Sequence, residues 1–126
     1  MADLDYIHAH LDDPEVIIVD TRSAAEYSGA DQRAARAGHI PGAVNFDWTR
    51  AMDPQRHRRL LPEQVLRNML QDLGVTPDKE VITHCQTHHR SAHTYVMLKH
   101  LGYERVRGYP GSWSEWGNRD DTPVER

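Results

Sequence analysis

The stretch from Glu80 to Leu101 constrains the fold more than any other part of the chain. It opens with a β-branched run, Glu80-Val81-Ile82-Thr83-His84, and continues through the only cysteine in Cys85-Gln86-Thr87-His88-His89-Arg90. It then passes into Ser91 to Leu101, where Ala92, Tyr95, Val96, Leu98 and Leu101 recur at helical spacing before Gly102. A short buried strand that feeds a helix through a tight turn is half of a parallel crossover, and the turn falls at the strand's carboxyl end. Open α/β sheets bind their ligands at that edge.

A second run, Val16-Ile17-Ile18-Val19, is apolar on both faces and too short for a helix, as a central parallel strand should be. It delivers Asp20-Thr21-Arg22 to the same edge. The remaining pattern alternates. Asp3 to Leu11 predicts a short amphipathic helix on Leu4, Ile7 and Leu11, ended by Asp12-Asp13-Pro14. Ser23 can cap a helix through Tyr27, and Gly29 to Gly38 is polar and irregular. Gly38 to Phe46 reads as a turn entering a strand, with His39 as a hydrogen-bonded structural histidine. Asp47 to Leu61 shows little pattern.

Pro62 to Leu73 places Val65, Leu66, Met69, Leu70 and Leu73 on one helical face, with Gly74 just past its end. Arg105-Val106-Arg107 predicts a last short strand. In Tyr109 to Trp116, Ser112 and Glu115 fit an S-x-x-E capping box. Trp113 and Trp116 are expected to pack under the sheet edge, with the pocket mouth as the alternative for Trp113. Gly117 to Arg126 reads as an extended tail. The order β-α-β-α-β predicts a doubly wound α/β fold with helices on both faces.

With 126 residues, 38% of them hydrophobic, residues 1–126 fit a single domain. The net charge of −4 offers no electrostatic footprint for nucleic acid, and Arg56, Arg58 and Arg59 form too short a cluster to supply one. One cysteine excludes an internal disulfide framework. No N-terminal apolar run resembles a signal peptide or membrane helix, so the expected location is cytoplasmic, with a reduced thiol and no membrane partner.

That thiol has a chemical environment. Turn amides and the dipole of the following helix favour a negative sulfur, and Arg90 adds a full positive charge. A small buried hydrophobe is the bland alternative for Cys85. A metal site is another, because His84 with His88 and His89 with His93 have i, i+4 spacing. His84, however, ends a strand, so helical spacing does not bring the first pair together. Asp20 and Arg22 read as an ion pair that supports the loop from behind.

Three separated stretches, Asp20-Thr21-Arg22 with Glu26-Tyr27, Gly38-His39-Ile40-Pro41-Gly42-Ala43, and Tyr109-Pro110-Gly111-Ser112-Trp113-Ser114-Glu115-Trp116, together with Cys85 resemble the rhodanese sulfurtransferases. The Cys85 to Arg90 loop is most similar to that of bacterial tandem-domain rhodaneses of the thiosulfate sulfurtransferase group. The resemblance implies a five-stranded parallel sheet and a catalytic Cys85 that takes sulfur from a small anionic donor such as thiosulfate. It then passes that sulfur to cyanide or a thiol acceptor. Gln86, Thr87, His88, His89 and Arg90 would form the substrate-binding loop, and no metal or organic cofactor is implied.

Thr87 and Glu26 depart from thiosulfate enzymes, which carry basic residues at both places, so Arg90 and the loop histidines would supply the positive potential. The resemblance also points to the carboxyl-terminal catalytic half of a tandem protein, whose partner would be an amino-terminal rhodanese domain. A free-standing domain is the alternative. Two other functions compete. Cysteine phosphatases with a C-x5-R loop share the fold in some cases, but here only four residues separate Cys85 from Arg90. A catalytically silent rhodanese module used for binding is the other.

Overall fold

The computed structural model describes residues 2–53, 59–86 and 89–126, with backbone alone for residues 53, 59, 89 and 90. In chain order it contains α1 (Leu4–Ala9), β1 (Val16–Asp20), α2 (Ala24–Ser28), β2 (Val44–Asn45) and a 3-10 turn at Trp48–Ala51. There follow β3 (Met52–Asp53), β4 (Arg59–Leu60), α3 (Glu63–Asp72), β5 (Glu80–His84), α4 (His89–His100), β6 (Val106–Gly108) and α5 (Ser112–Trp116).

The main sheet is parallel, in the order β2-β1-β5-β6. Val16 stands opposite Glu80, and the register runs to Asp20 opposite His84. The two strands read from β-branched runs are therefore the central pair. Alternate residues leave the sheet on opposite sides. Val19 and Val81 join Leu66, Leu70, Met97 and Leu98 in one core, whereas Ile18 and Ile82 join Ile7, Ile40, Trp113 and Trp116 in another. Helices thus cover both faces, as a doubly wound fold requires.

Four strands form this sheet among the described residues, one fewer than the family resemblance implied. Only four runs in the sequence read as strands of this sheet. The additional strands, β3 and β4, lie in the unpatterned segment and pair with each other in an antiparallel ribbon. Helix α4 begins at His89, two residues before the expected Ser91. Neither His89 nor Arg90 is a glycine or proline, so nothing in the side-chain chemistry delays the helix.

One other reading is corrected, and the tail gains contacts that its sequence did not indicate. The S-x-x-E pattern at Ser112 does not form a capping box: Gly111 is the N-cap and no side-chain cap bond is made. The tail after Gly117 does not run free. Glu125 and His39 exchange backbone hydrogen bonds of 2.9 and 2.7 Å, Thr122 is buried, and Trp116 Nε1 donates to the Pro123 carbonyl at 2.8 Å.

Candidate active site

The carboxyl ends of β1 and β5 lie side by side and set the geometry of everything around Cys85. Thr21 donates to the His84 carbonyl from its amide at 2.9 Å and from its hydroxyl at 3.1 Å, tying the strand ends together. One residue earlier, Asp20 holds Arg22 through three side-chain hydrogen bonds of 2.7 to 3.1 Å, and Arg22 is 1% exposed. The same guanidinium donates to the Gly38 carbonyl at 2.6 Å and lies 4.6 Å from the Trp113 ring centroid. Arg22 is therefore consumed by structure and is not open to a ligand.

His84 is fully buried. Its Nδ1 lies 3.3 Å from the Cys85 carbonyl, which makes Nδ1 the protonated nitrogen, and its Nε2 lies 3.8 Å from Asp20 Oδ2. Burial pushes the His84 pKa below the ordinary histidine value; Asp20 opposes this and Arg22 reinforces it. Proximity to Asp20 alone would suggest a charged pair. Asp20 is already neutralised by Arg22, so His84 stays uncharged.

Cys85 is 1% exposed. Its Sγ receives the Ser91 hydroxyl at 3.6 Å, from the first turn of α4. Its amide donates to Ser112 Oγ at 3.2 Å, and its carbonyl accepts the Trp113 amide at 2.9 Å. The next carbonyl, Gln86, accepts the Ser114 amide at 2.9 Å. The start of α5 thus grips the base of the loop. Gln86 turns its carboxamide toward the Arg33 carbonyl at 3.2 Å, into the irregular segment after α2.

Thr87 and His88 lie outside the described residues, as do the side chains of His89 and Arg90. The expected convergence of loop amides on the sulfur falls there too. Glu26 is buried in the capping box of α2, where its carboxylate accepts the Ser23 amide at 3.2 Å and hydroxyl at 3.1 Å. One of its carboxylate oxygens thus faces the helix start. His39 is the structural histidine expected: buried, stacked on Tyr27 at 3.8 Å and bonded to its carbonyl at 2.8 Å.

Trp113 is wholly buried, with Nε1 donating to the Arg36 carbonyl at 3.2 Å, so it packs inside and does not line a pocket mouth. Among the described residues, no three His, Cys, Asp or Glu side chains gather as metal ligands. Sequence reasoning missed Ser91, Ser112 and the two amides after it. Ser91 could have been found, because it directly follows the loop on a helix facing the sulfur. Ser112 carried a signal that pointed elsewhere.

Among the described residues no helix is long and apolar enough to cross a membrane. A family model described as a rhodanese-like domain matches residues 3–119. The chain is 55% identical over 121 residues to a thiosulfate sulfurtransferase of Pseudomonas aeruginosa, covering 96% of this chain and 44% of that protein. It is 56% identical over 124 residues to a thiosulfate sulfurtransferase of Azotobacter vinelandii, covering 98% and 45%. It therefore spans less than half the length of either relative. Among solved structures, an anaerobic ergothioneine biosynthesis enzyme from Chlorobium limicola superposes with a TM-score of 0.89 at 25% identity, over 98% of this chain and 31% of that one.

Proposed function

The chain belongs to the rhodanese-like domain family, and from that premise we propose that it is a sulfurtransferase working through a persulfide on Cys85. The observation that carries this reading is the placement of Cys85. Its sulfur sits at the carboxyl end of a central strand, with a hydroxyl donor at 3.6 Å and both of its own peptide groups engaged. Two relatives at 55% and 56% identity bear the name thiosulfate sulfurtransferase, which supports thiosulfate as the donor.

The chemistry is double displacement. The Cys85 thiolate attacks the outer sulfur of thiosulfate; a new S–S bond forms, the old one breaks, and sulfite leaves with the bonding pair. Cyanide or a thiolate acceptor then attacks the outer sulfur of the persulfide, and the Cys85 thiolate is released. Every reactant is an anion, so the step needs fixed positive potential and hydrogen-bond donors more than proton transfer. Ser91 supplies one donor. Arg90, with His88 and His89, is assigned the anion-holding role in this proposal, and Asp20 and Arg22 support the strand ends.

An amino-terminal rhodanese domain and a cytoplasmic location complete the reading. The test is intact-mass spectrometry before and after thiosulfate. The protein should gain one sulfur atom and lose it to cyanide, and Cys85→Ala should do neither while keeping its fold. Sulfur transfer by Cys85→Ala would remove the assignment.

A further inference from the structure

Ser112 is the one non-glycine residue with a positive φ, at 52°, among the described residues, and it is fully buried. Backbone in that region is unfavourable for a residue with a side chain, so something must hold it there. Its hydroxyl donates to the Tyr109 carbonyl at 2.8 Å. With the proton so directed, the oxygen presents its lone pairs to the Cys85 amide, 3.2 Å away. The conformation serves Cys85 and not the helix, for α5 gains no side-chain cap from Ser112.

We propose that Ser112 is a positioning residue: it fixes the peptide that precedes Cys85 and thereby aims the sulfur. This rests on the sulfurtransferase reading and deepens it. The Trp113 amide fixes the peptide on the other side at 2.9 Å. With both peptide planes held, rotation about the Cα–Cβ bond is the freedom left to the sulfur, and the Ser91 hydroxyl at 3.6 Å selects among its rotamers. Releasing Ser112 lets the first peptide plane turn and displaces the sulfur from its line of attack.

Two variants separate the hydroxyl from the backbone. Ser112→Gly removes the oxygen and relieves the positive φ, which offsets part of the cost of leaving the Cys85 amide without its acceptor; Ser112→Ala removes the oxygen and retains the strain. Both should lower kcat for thiosulfate and cyanide about tenfold, with KM changed less than about twofold, since misplacement of the nucleophile acts on the transition state. Iodoacetamide alkylation of Cys85, followed by intact mass, should quicken in both as the sulfur leaves its buried position. Wild-type kcat and alkylation in Ser112→Gly would overturn the proposal. Loss confined to Ser112→Ala would overturn it too, by assigning the effect to strain. If wild-type protein takes no sulfur from thiosulfate, the sulfurtransferase reading fails, and the alkylation rates still decide the role of Ser112.

Discussion

Two stretches of this chain carry the same four-residue pattern, Ser23 to Glu26 and Ser112 to Glu115, and they fold differently. At the first, Ser23 caps α2: its Oγ accepts the Glu26 amide at 3.2 Å, and Glu26 returns the contact. At the second, the serine has moved one place into the helix, its hydroxyl bridges the Tyr109 carbonyl and the Cys85 amide, and Glu115 accepts the Tyr109 hydroxyl at 2.5 Å. The difference lies in what stands opposite. Among the described residues Ser23 bonds within its own helix, whereas Ser112 meets the end of β5, where the Cys85 amide on a turn competes for the same oxygen.

The largest way to break the comparison is at the glycines that close each helix. A methyl group on Gly117 would strike the indole of Trp113, which is wholly buried, whereas one on Gly29 would first meet the flexible Arg126 side chain. Gly117→Ala should cost about 3 kcal/mol, by overpacking. Gly29→Ala should cost about 1 kcal/mol, because its φ of 90° disfavours a side chain. Thermal melts of the two variants check the ranking, and equal costs would break it.

Acid sharpens the comparison next. Because burial depresses the His84 pKa, the unfolded chain binds a proton that the folded protein refuses. The sign follows: stability is intact above the ordinary histidine value of about 6.5 and falls as pH drops through it toward the lower folded value, by at most about 1.4 kcal/mol per pH unit from this group. Urea titrations from pH 7.5 to 5 should show that slope, and His84→Gln should reduce it. A slope unchanged in the variant would move the effect to another group.

Ser23→Ala should cost about 1 kcal/mol in stability and leave sulfur transfer at the wild-type rate, in contrast to Ser112→Ala. Slowed transfer would show that α2 also reaches the site. Smallest of all is Glu26→Gln, which retains an acceptor for the Ser23 amide and should change stability by less than about 0.5 kcal/mol. Its KM for thiosulfate should stay within about twofold of the wild type, because the carboxylate oxygen that accepts the Ser23 amide and hydroxyl is replaced by an amide oxygen that can do the same. A lower KM would mean that the charge of Glu26 is felt by the donor.

The central strands were legible because each is a short run of β-branched residues that no helix could use. Both had their ends assigned nearly to the residue. Helix α3 was legible from its apolar face and the glycine behind it. The placement of Cys85, Asp20 and Arg22 was legible, because it follows from the strand ends. What could not be read is everything that reaches Cys85 from afar. The Trp113 and Ser114 amides act through backbone, which has no sequence signature. Ser112 was misread because a local pattern outranked a contact 27 positions away. The anchoring of the tail was not legible either, since its pairing with His39 rests on main-chain groups.

The grip of α5 on the loop also bears on the order of events during synthesis. Strands β1 and β5 can pair once residue 84 has left the ribosome, but the residues that hold the peptide groups of Cys85 come after β6. A nascent chain that has not yet reached Ser112 carries Cys85 with its peptide groups unheld. Long-range closure of this kind is slow compared with forming helices. The thiol therefore passes through a period in which its strand exists and its final setting does not. During that period it is more open to oxidation than in the finished protein, where the Cys85 residue is 1% exposed.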